Sequence, residues 1–261
     1  KVYAALAKKH GAKEILIMPI TPAELHIAID EVLQHRRDQA YLKGITELAV
    51  KDPLTGLYNR RYFDHVLSTE IEKLKRYGGS MAMLFCDIDD FKACNTQHGH
   101  DFGDEVLRGV ASVVVNSCRT KEDIPVRYGG EEMIILYIDT QLEHAKFPAK
   151  RFIDTLNAKR FRTASGEMVE ISVSGGLGGI SIKAGELDEF TDRFDRTAFC
   201  KVTNIALYVA KETGKRQLIP LNALEFYRRS EGDYKAIKQT LRGLYSTSSE
   251  GQPVSFTGTR Y

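Results

Sequence analysis

No run in the sequence approaches the roughly 18 consecutive apolar residues that a membrane-spanning helix needs, and Lys1 to Lys9 has no long apolar core of the signal-peptide kind. The chain therefore reads as cytoplasmic, with no membrane partner. Paired cysteines are missing too. Cys86, Cys94, Cys118 and Cys200 are scattered without any C-x-x-C pair, which excludes a metal knuckle or disulfide framework and leaves four small packing residues. An excess of charge of one sign is also absent: 37 Lys and Arg face 35 Asp and Glu, a net +2. That balance disfavours coating of a polyanion, so no nucleic-acid partner is expected. What the chain does have is 261 residues, 43% hydrophobic and 28% charged, enough for one large folded domain or two modest ones. It lacks an initiator Met and opens on Val2, Leu6 and Ala7 in a helical pattern, so it reads as a piece of a longer protein.

Residues 1–35 read as a short helix, Gly11, a buried strand Glu14 to Met18, Pro19, and a helix starting near Thr21 with Pro22 in its first turn. Gly11-Ala12, Ile15 to Ile20 and Glu24-Leu25 resemble the last strand and helix of a response-regulator receiver domain, although any β-α end of an α/β domain has this pattern. Such receivers carry Lys before the Pro, and here Met18 stands there; the phospho-acceptor Asp would lie before residue 1. Residues 36–51 read as a helical stalk. Leu25, Ile29, Val32, Leu42, Ile45 and Leu48 fall at three and four spacing. The stripe suits a dimer seam or packing on the preceding fragment.

Asp52-Pro53 ends the stalk, and 52–221 alternates helices with apolar strands. Asn59 caps a helix with Phe63, Val66, Leu67, Ile71 and Leu74 on one face, ended by Gly78-Gly79. A strand Met81 to Cys86 comes next, then a helix from about Gly103, a hairpin about Gly129-Gly130, a helix Glu143 to Leu156, a strand pair about Gly166 with Val169 to Ser174, and a helix Thr203 to Thr213. The order predicts an α+β fold of palm type with helices on one face of the sheet. Residues 222–261 read as a helix from Ala223 to about Leu244 and a disordered Ser, Thr and Gly-rich end.

Two segments carry chemistry. Asp87-Ile88-Asp89-Asp90-Phe91-Lys92 stands at a strand end, where carboxylates suit a hard cation such as Mg²⁺, though acids after a strand are also ordinary loop residues. Arg127-Tyr128-Gly129-Gly130-Glu131-Glu132 puts two repelling acids after a tight turn. A cation shared by Asp87, Glu131 and Glu132 across neighbouring strands relieves that repulsion; a solvated hairpin with two surface acids is the plain alternative.

Together these segments resemble a GGDEF domain, the catalytic domain of diguanylate cyclases. The resemblance runs through Asp52-Pro53-Leu54-Thr55-Gly56-Leu57-Tyr58-Asn59-Arg60-Arg61, Asp87 to Lys92, Asn95, Gly99-His100, Gly103-Asp104, Arg127 to Glu132, and Ala206 to Lys211, in order over 52–221. It implies a ferredoxin-like sheet of the nucleotidyl-cyclase type and condensation of two GTP into cyclic di-GMP with loss of pyrophosphate. It further implies two Mg²⁺ per site, Mn²⁺ serving as an alternative, held by Asp87, the Ile88 carbonyl and Glu131. Glu131 is then also the candidate base for the 3′-hydroxyl, Glu132 assists, and Lys92 stabilises phosphate charge. Guanine recognition falls on Asn95 and Asp104, with His100 nearby or structural, and the outer phosphates on Lys211 and Lys215. A homodimer through the stalk and receiver-like part would bring two nucleotides together. The other reading of the same residues is a degenerate module that binds GTP or cyclic di-GMP without turnover.

Four positions depart from the family pattern: Met133 for Phe, Lys215 for Arg, Asn204 for Asp and Gly175 for an apolar residue. The inhibitory product motif, R-x-x-D, maps to Thr120 to Asp123, so Asp123 is present while Arg119 comes one residue early, with Arg151 as a second cation. Product inhibition is expected to be weak unless Arg119 turns back to Asp123.

Overall fold

The computed structural model describes residues 29, 32, 33, 49–119, 122–185 and 188–246. Most of the receiver-like fragment and of the stalk, and the last fifteen residues, lie outside these. The chain divides into two units, 1–50 and 51–261. Ile29, Val32 and Leu33 of the first are helical, and the second holds the whole sheet.

The elements of the second unit run β1 (Tyr58–Asn59), α1 (Arg60–Tyr77), β2 (Gly79–Ile88), α2 (Phe91–His98), α3 (His100–Ser117), β3 (Asp123–Arg127), β4 (Glu132–Tyr137) and α4 (Leu142–Asn157). Then come β5 (Arg160–Arg162), β6 (Met168–Glu170), β7 (Val173–Ile182), α5 (Glu189–Arg193), α6 (Arg196–Glu212), β8 (Leu218–Asn222), α7 (Ala223–Arg229) and α8 (Tyr234–Ser246). Strands β1-β3-β4-β2-β7-β8, in that order, make one mixed sheet, and β5-β6 is a separate hairpin. β2 is central, antiparallel to β4 on one side and to β7 on the other.

Local chemistry explains the main elements. Asn59 caps α1 by accepting the Tyr62 N–H at 3.0 Å, and Phe63, Leu67, Ile71 and Leu74 project at helical spacing into the core. Asp195 caps α6 through the Ala198 N–H at 2.8 Å. Because side chains alternate along a strand, β2 feeds two cores. Met81, Met83 and Phe85 pack with α1, α6, α7 and α8, whereas Ala82, Leu84, Cys86 and Ile88 pack with α2, α3 and α4. Helices therefore cover both faces of the sheet, which corrects the one-face expectation: β2 is apolar at every position from Met81 to Cys86, and such a strand is buried on both sides.

Two further expectations change. The strand expected over Val169 to Ser174 is split between β6 and the ten-residue β7, whose Gly175, Gly176, Gly178 and Gly179 hide it from propensity. The single helix expected after Ala223 is two, broken where Glu231 and Gly232 both take positive φ, 52° and 79°. Among the described residues, no helix is long and apolar enough to cross a membrane.

Candidate functional site

The site forms where β2 ends beside the β3–β4 turn. Register places Asp87 of β2 directly opposite Glu132 of β4, with Glu131 in the turn just before it. Gly129 allows the close approach, since a Cβ there would sit 2.6 Å from Glu132 Oε2. Lys211, near the end of α6, reaches across and pairs with Asp87 Oδ1 at 2.5 Å. The Asp87 side chain is 11% exposed. Its carboxyl is raised to about 6, chiefly by burial and further by Glu131 and Glu132, against the pull of Lys211. Burial likewise raises Glu132, reinforced by Glu131 and opposed by Lys211 and Arg60.

The turn is braced from a distance. Arg127 gives Nε and Nη2 to the Gly130 carbonyl, at 3.2 and 2.9 Å, and Nη1 to Asp52 Oδ1 at 3.1 Å. Asp52 also accepts the Thr55 N–H at 2.9 Å and the Thr55 hydroxyl at 2.6 Å. Burial opposes ionisation of Asp52, but the Thr55 and Arg127 bonds outweigh it and hold its carboxyl below the usual range. The sequence singles out both segments without revealing this link, because the partners are 75 residues apart and no local pattern announces it.

The other sequence-predicted residues stand on α2, α3, β4, α6, β7 and the loop after α6. Lys92 is exposed on α2. Asn95, one turn further on, is half-buried, and its Oδ1 has no hydrogen-bond partner among the described residues. That oxygen lies against Gly103 of α3, where any Cβ would overlap it. Asp104 adjoins Gly103, half exposed, with Arg108 3.9 Å away. His100 is exposed and opens α3. Lys215 pairs with Asp90 at 2.7 Å. Met133 is fully buried among apolar neighbours, Asn204 is exposed, and Gly175 faces Leu84, Ile153 and Leu218.

Arg119 does turn back to Asp123. Its Nη2 lies 2.7 Å from Oδ1 and its Nε 3.1 Å, while Nη1 meets Glu122 at 2.9 Å and Nη2 also reaches the Ile138 carbonyl at 3.1 Å. Arg119, Asp123 and Arg151 line one cleft of about 280 Å³. The guanidinium that the motif spacing left out of place is thus present.

A divalent cation is tested by the donors. Among the described residues no three His, Cys, Asp or Glu side chains form a ready cluster. Mg²⁺, however, is usually held by one or two carboxylates, waters and substrate phosphates rather than by an all-protein cage. Asp87 and Glu131 with the Ile88 carbonyl are hard oxygen donors of that kind. The repulsion among the acids, now offset at Asp87 by Lys211, is what such a cation would relieve. The residues fit.

Comparison with known proteins gives the family. The family model described as "Diguanylate cyclase, GGDEF domain" matches residues 49–217. The response regulator PleD of Caulobacter vibrioides is 36% identical over 214 residues, 80% of this chain and 45% of PleD. Diguanylate cyclase DosC of Escherichia coli is 30% identical over 167 residues, 64% of this chain and 34% of DosC. The chain thus spans under half the length of these curated relatives. In fold it is similar to the coiled coil and GGDEF domain of DgcB from Caulobacter crescentus, with a TM-score of 0.65 at 24% identity over 77% of this chain and all of that one. Opposed acids at the end of a central strand, the glycine turn beside them and the matched 49–217 span together place this chain in the GGDEF domain family of diguanylate cyclases.

Proposed function

We propose that the chain condenses two GTP into cyclic di-GMP, each 3′-oxygen attacking the other's α-phosphorus while the bond to pyrophosphate breaks. One observation carries the reading: in a GGDEF-family chain, Asp87 and Glu132 oppose each other across the strands with Glu131 beside them and Lys211 above, so acids for a metal and a cation for phosphate share one strand end.

Each residue has a definite task. The unpartnered Asn95 amide oxygen and the Asp104 carboxylate accept the N–H donors of the guanine edge, which adenine does not offer. Lys92, Lys211 and Lys215 take the phosphates, Lys211 and Lys215 giving up Asp87 and Asp90 as they do so. Glu131 accepts the 3′-hydroxyl proton, and Glu132 beside it keeps the local field negative enough to hold it. Asp87, the Ile88 carbonyl and Glu131 would hold Mg²⁺ or Mn²⁺, two per site, whose chemistry is to neutralise charge on the attacking and leaving oxygens.

We further propose that two chains meet as a homodimer through the receiver-like part and stalk, in the cytoplasm where GTP is abundant. The name of PleD, a response regulator, supports the receiver-like reading of the N-terminal part. The Arg119, Asp123 and Arg151 cleft is proposed to take the product, two guanidinium groups facing its phosphates. The test of the whole reading is chromatography with mass identification after incubation with GTP and Mg²⁺. Cyclic di-GMP is expected from the wild type and none from Asp87→Ala or Glu131→Ala. Nucleotide binding without product would instead make the chain a binding module, and full turnover in either variant would sink the assignment.

A further inference from the structure

We infer that Asp89 is a positioning residue that locks the loop carrying Lys215 to the strand end carrying Asp87. This rests on the reading of Lys211 and Lys215 as phosphate ligands and gives that site a fixed geometry. Asp89 is 6% exposed, yet it has no cation in ion-pair range among the described residues. A buried carboxylate of this kind is stable only if its lone pairs are taken up by donors. The Ser174 hydroxyl donates to its Oδ1 at 2.8 Å, the Ser172 hydroxyl to its Oδ2 at 2.7 Å, and the Arg216 N–H points at Oδ2 from 3.5 Å. Its own N–H donates to the Ser172 carbonyl at 2.8 Å. One side chain thus joins the end of β2, the start of β7 and the loop after α6.

That loop is the unusual part of the backbone. Gly214, Lys215 and Arg216 take φ of 131°, 60° and 53° in succession, and two of them are not glycine. Such residues persist only where the surroundings over-determine them. The loop's other bonds tie it to α6, through Lys215 N–H to the Ala210 carbonyl, to β7, through Gly175 N–H to the Gln217 carbonyl, to α4, through Asn157 to the Arg216 carbonyl, and to β6, through Arg216 Nη2 to Glu170 at 3.4 Å. None of these reaches the end of β2. The Lys211–Asp87 and Lys215–Asp90 pairs do, but they use the very ammonium groups that phosphate would claim. Asp89 holds through serine hydroxyls and a backbone amide, so its link survives when substrate arrives.

Binding of a non-hydrolysable GTP analogue and of GMP to the full chain separates positioning from general support. GMP keeps the guanine and lacks the outer phosphates. Asp89→Ala is expected to weaken the triphosphate about tenfold and GMP less than about twofold. Asp89→Asn keeps an acceptor for Ser172 and Arg216 and a donor toward Ser174, so it should bind both as the wild type does. If Asp89→Ala does not fold, Ser172→Ala removes a single hydroxyl and should give the same selective loss at about threefold. Equal weakening of both ligands, or wild-type binding of both, in folded Asp89→Ala or Ser172→Ala overturns the proposal. A wild type that binds the triphosphate no better than GMP overturns the functional reading itself and this proposal with it, and needs no variant to be recognised.

Discussion

At the scale of single residues, the site depends on side chains that are absent as much as on those present. Gly103 is the clearest case, because a Cβ on α3 at that point would overlap Asn95 Oδ1. Gly103→Ala should leave the helix intact, alanine being the better helix former, but force Asn95 out of its place. The expected outcome is a KM for GTP raised about tenfold, the scale of one lost hydrogen bond to a specific edge, with a thermal midpoint near that of the wild type. An unchanged KM would mean that Asn95 does not touch the base. Much of this level is legible in the sequence: motif and chemistry single out Asp87, Glu131, Lys92, Asn95 and Asp104. What is not legible is how they are held. Arg127 finds Asp52 across 75 residues, Asp90 partners Lys215 across 125, and Arg119 closes on Asp123 despite its extra residue of spacing. These are products of the folded chain, and no local period encodes them.

At the scale of elements, the sheet is held to α6 by missing side chains. A Cβ on Gly176 of β7 would stand 2.5 Å from the Thr203 carbonyl and closer still to the Leu207 amide, both backbone. Neither can swing away as a flexible side chain would. Gly176→Ala is expected to lower the denaturant midpoint by the equivalent of about 2 kcal/mol or more, measured by urea unfolding; a neutral result would show that helix and sheet can part freely. The same glycines explain why the sequence makes β7 look too short: strand propensity counts side chains, and here close helix packing requires their removal. The C-terminal helices behave differently. Ile237 and Leu241 of α8 are buried against α6, and Arg242 of α8 clasps Glu212 at the end of α6, Nε to Oε2 at 2.6 Å. The Arg242 bonds, with Tyr208 and Lys238 helping, hold the Glu212 carboxyl down at about 2, from an ordinary 4.5. A depressed carboxylate contributes stability above its unfolded value and loses it as pH falls through its folded one. Docking of α8 should therefore weaken between about pH 4.5 and 2. Near-ultraviolet circular dichroism from Tyr227, Tyr234 and Tyr245 would report it, and Arg242→Ala should abolish that dependence while leaving the signal at neutral pH reduced.

At the scale of the whole molecule, the architecture sets a limit on what one chain can do. The described domain gathers one Asn95–Asp104 pair and one set of Asp87, Glu131 and Glu132. On the proposed function a lone domain loads one GTP, whereas cyclic di-GMP needs two attacks, each 3′-oxygen on the other nucleotide's phosphorus, with two sites face to face. Loading and joining should then respond differently to dilution. Binding of a non-hydrolysable GTP analogue is a property of one domain and should keep the same affinity at every protein concentration. Turnover per chain is a property of the pair, so it should rise in proportion to protein concentration while chains are monomeric and level off once they are dimers. A dilution series assayed for cyclic di-GMP, with molecular mass measured by light scattering at each point, separates the two. Constant turnover per chain at concentrations where the mass is that of a monomer would mean that a single domain joins both nucleotides, and the two-chain arrangement would have to be abandoned.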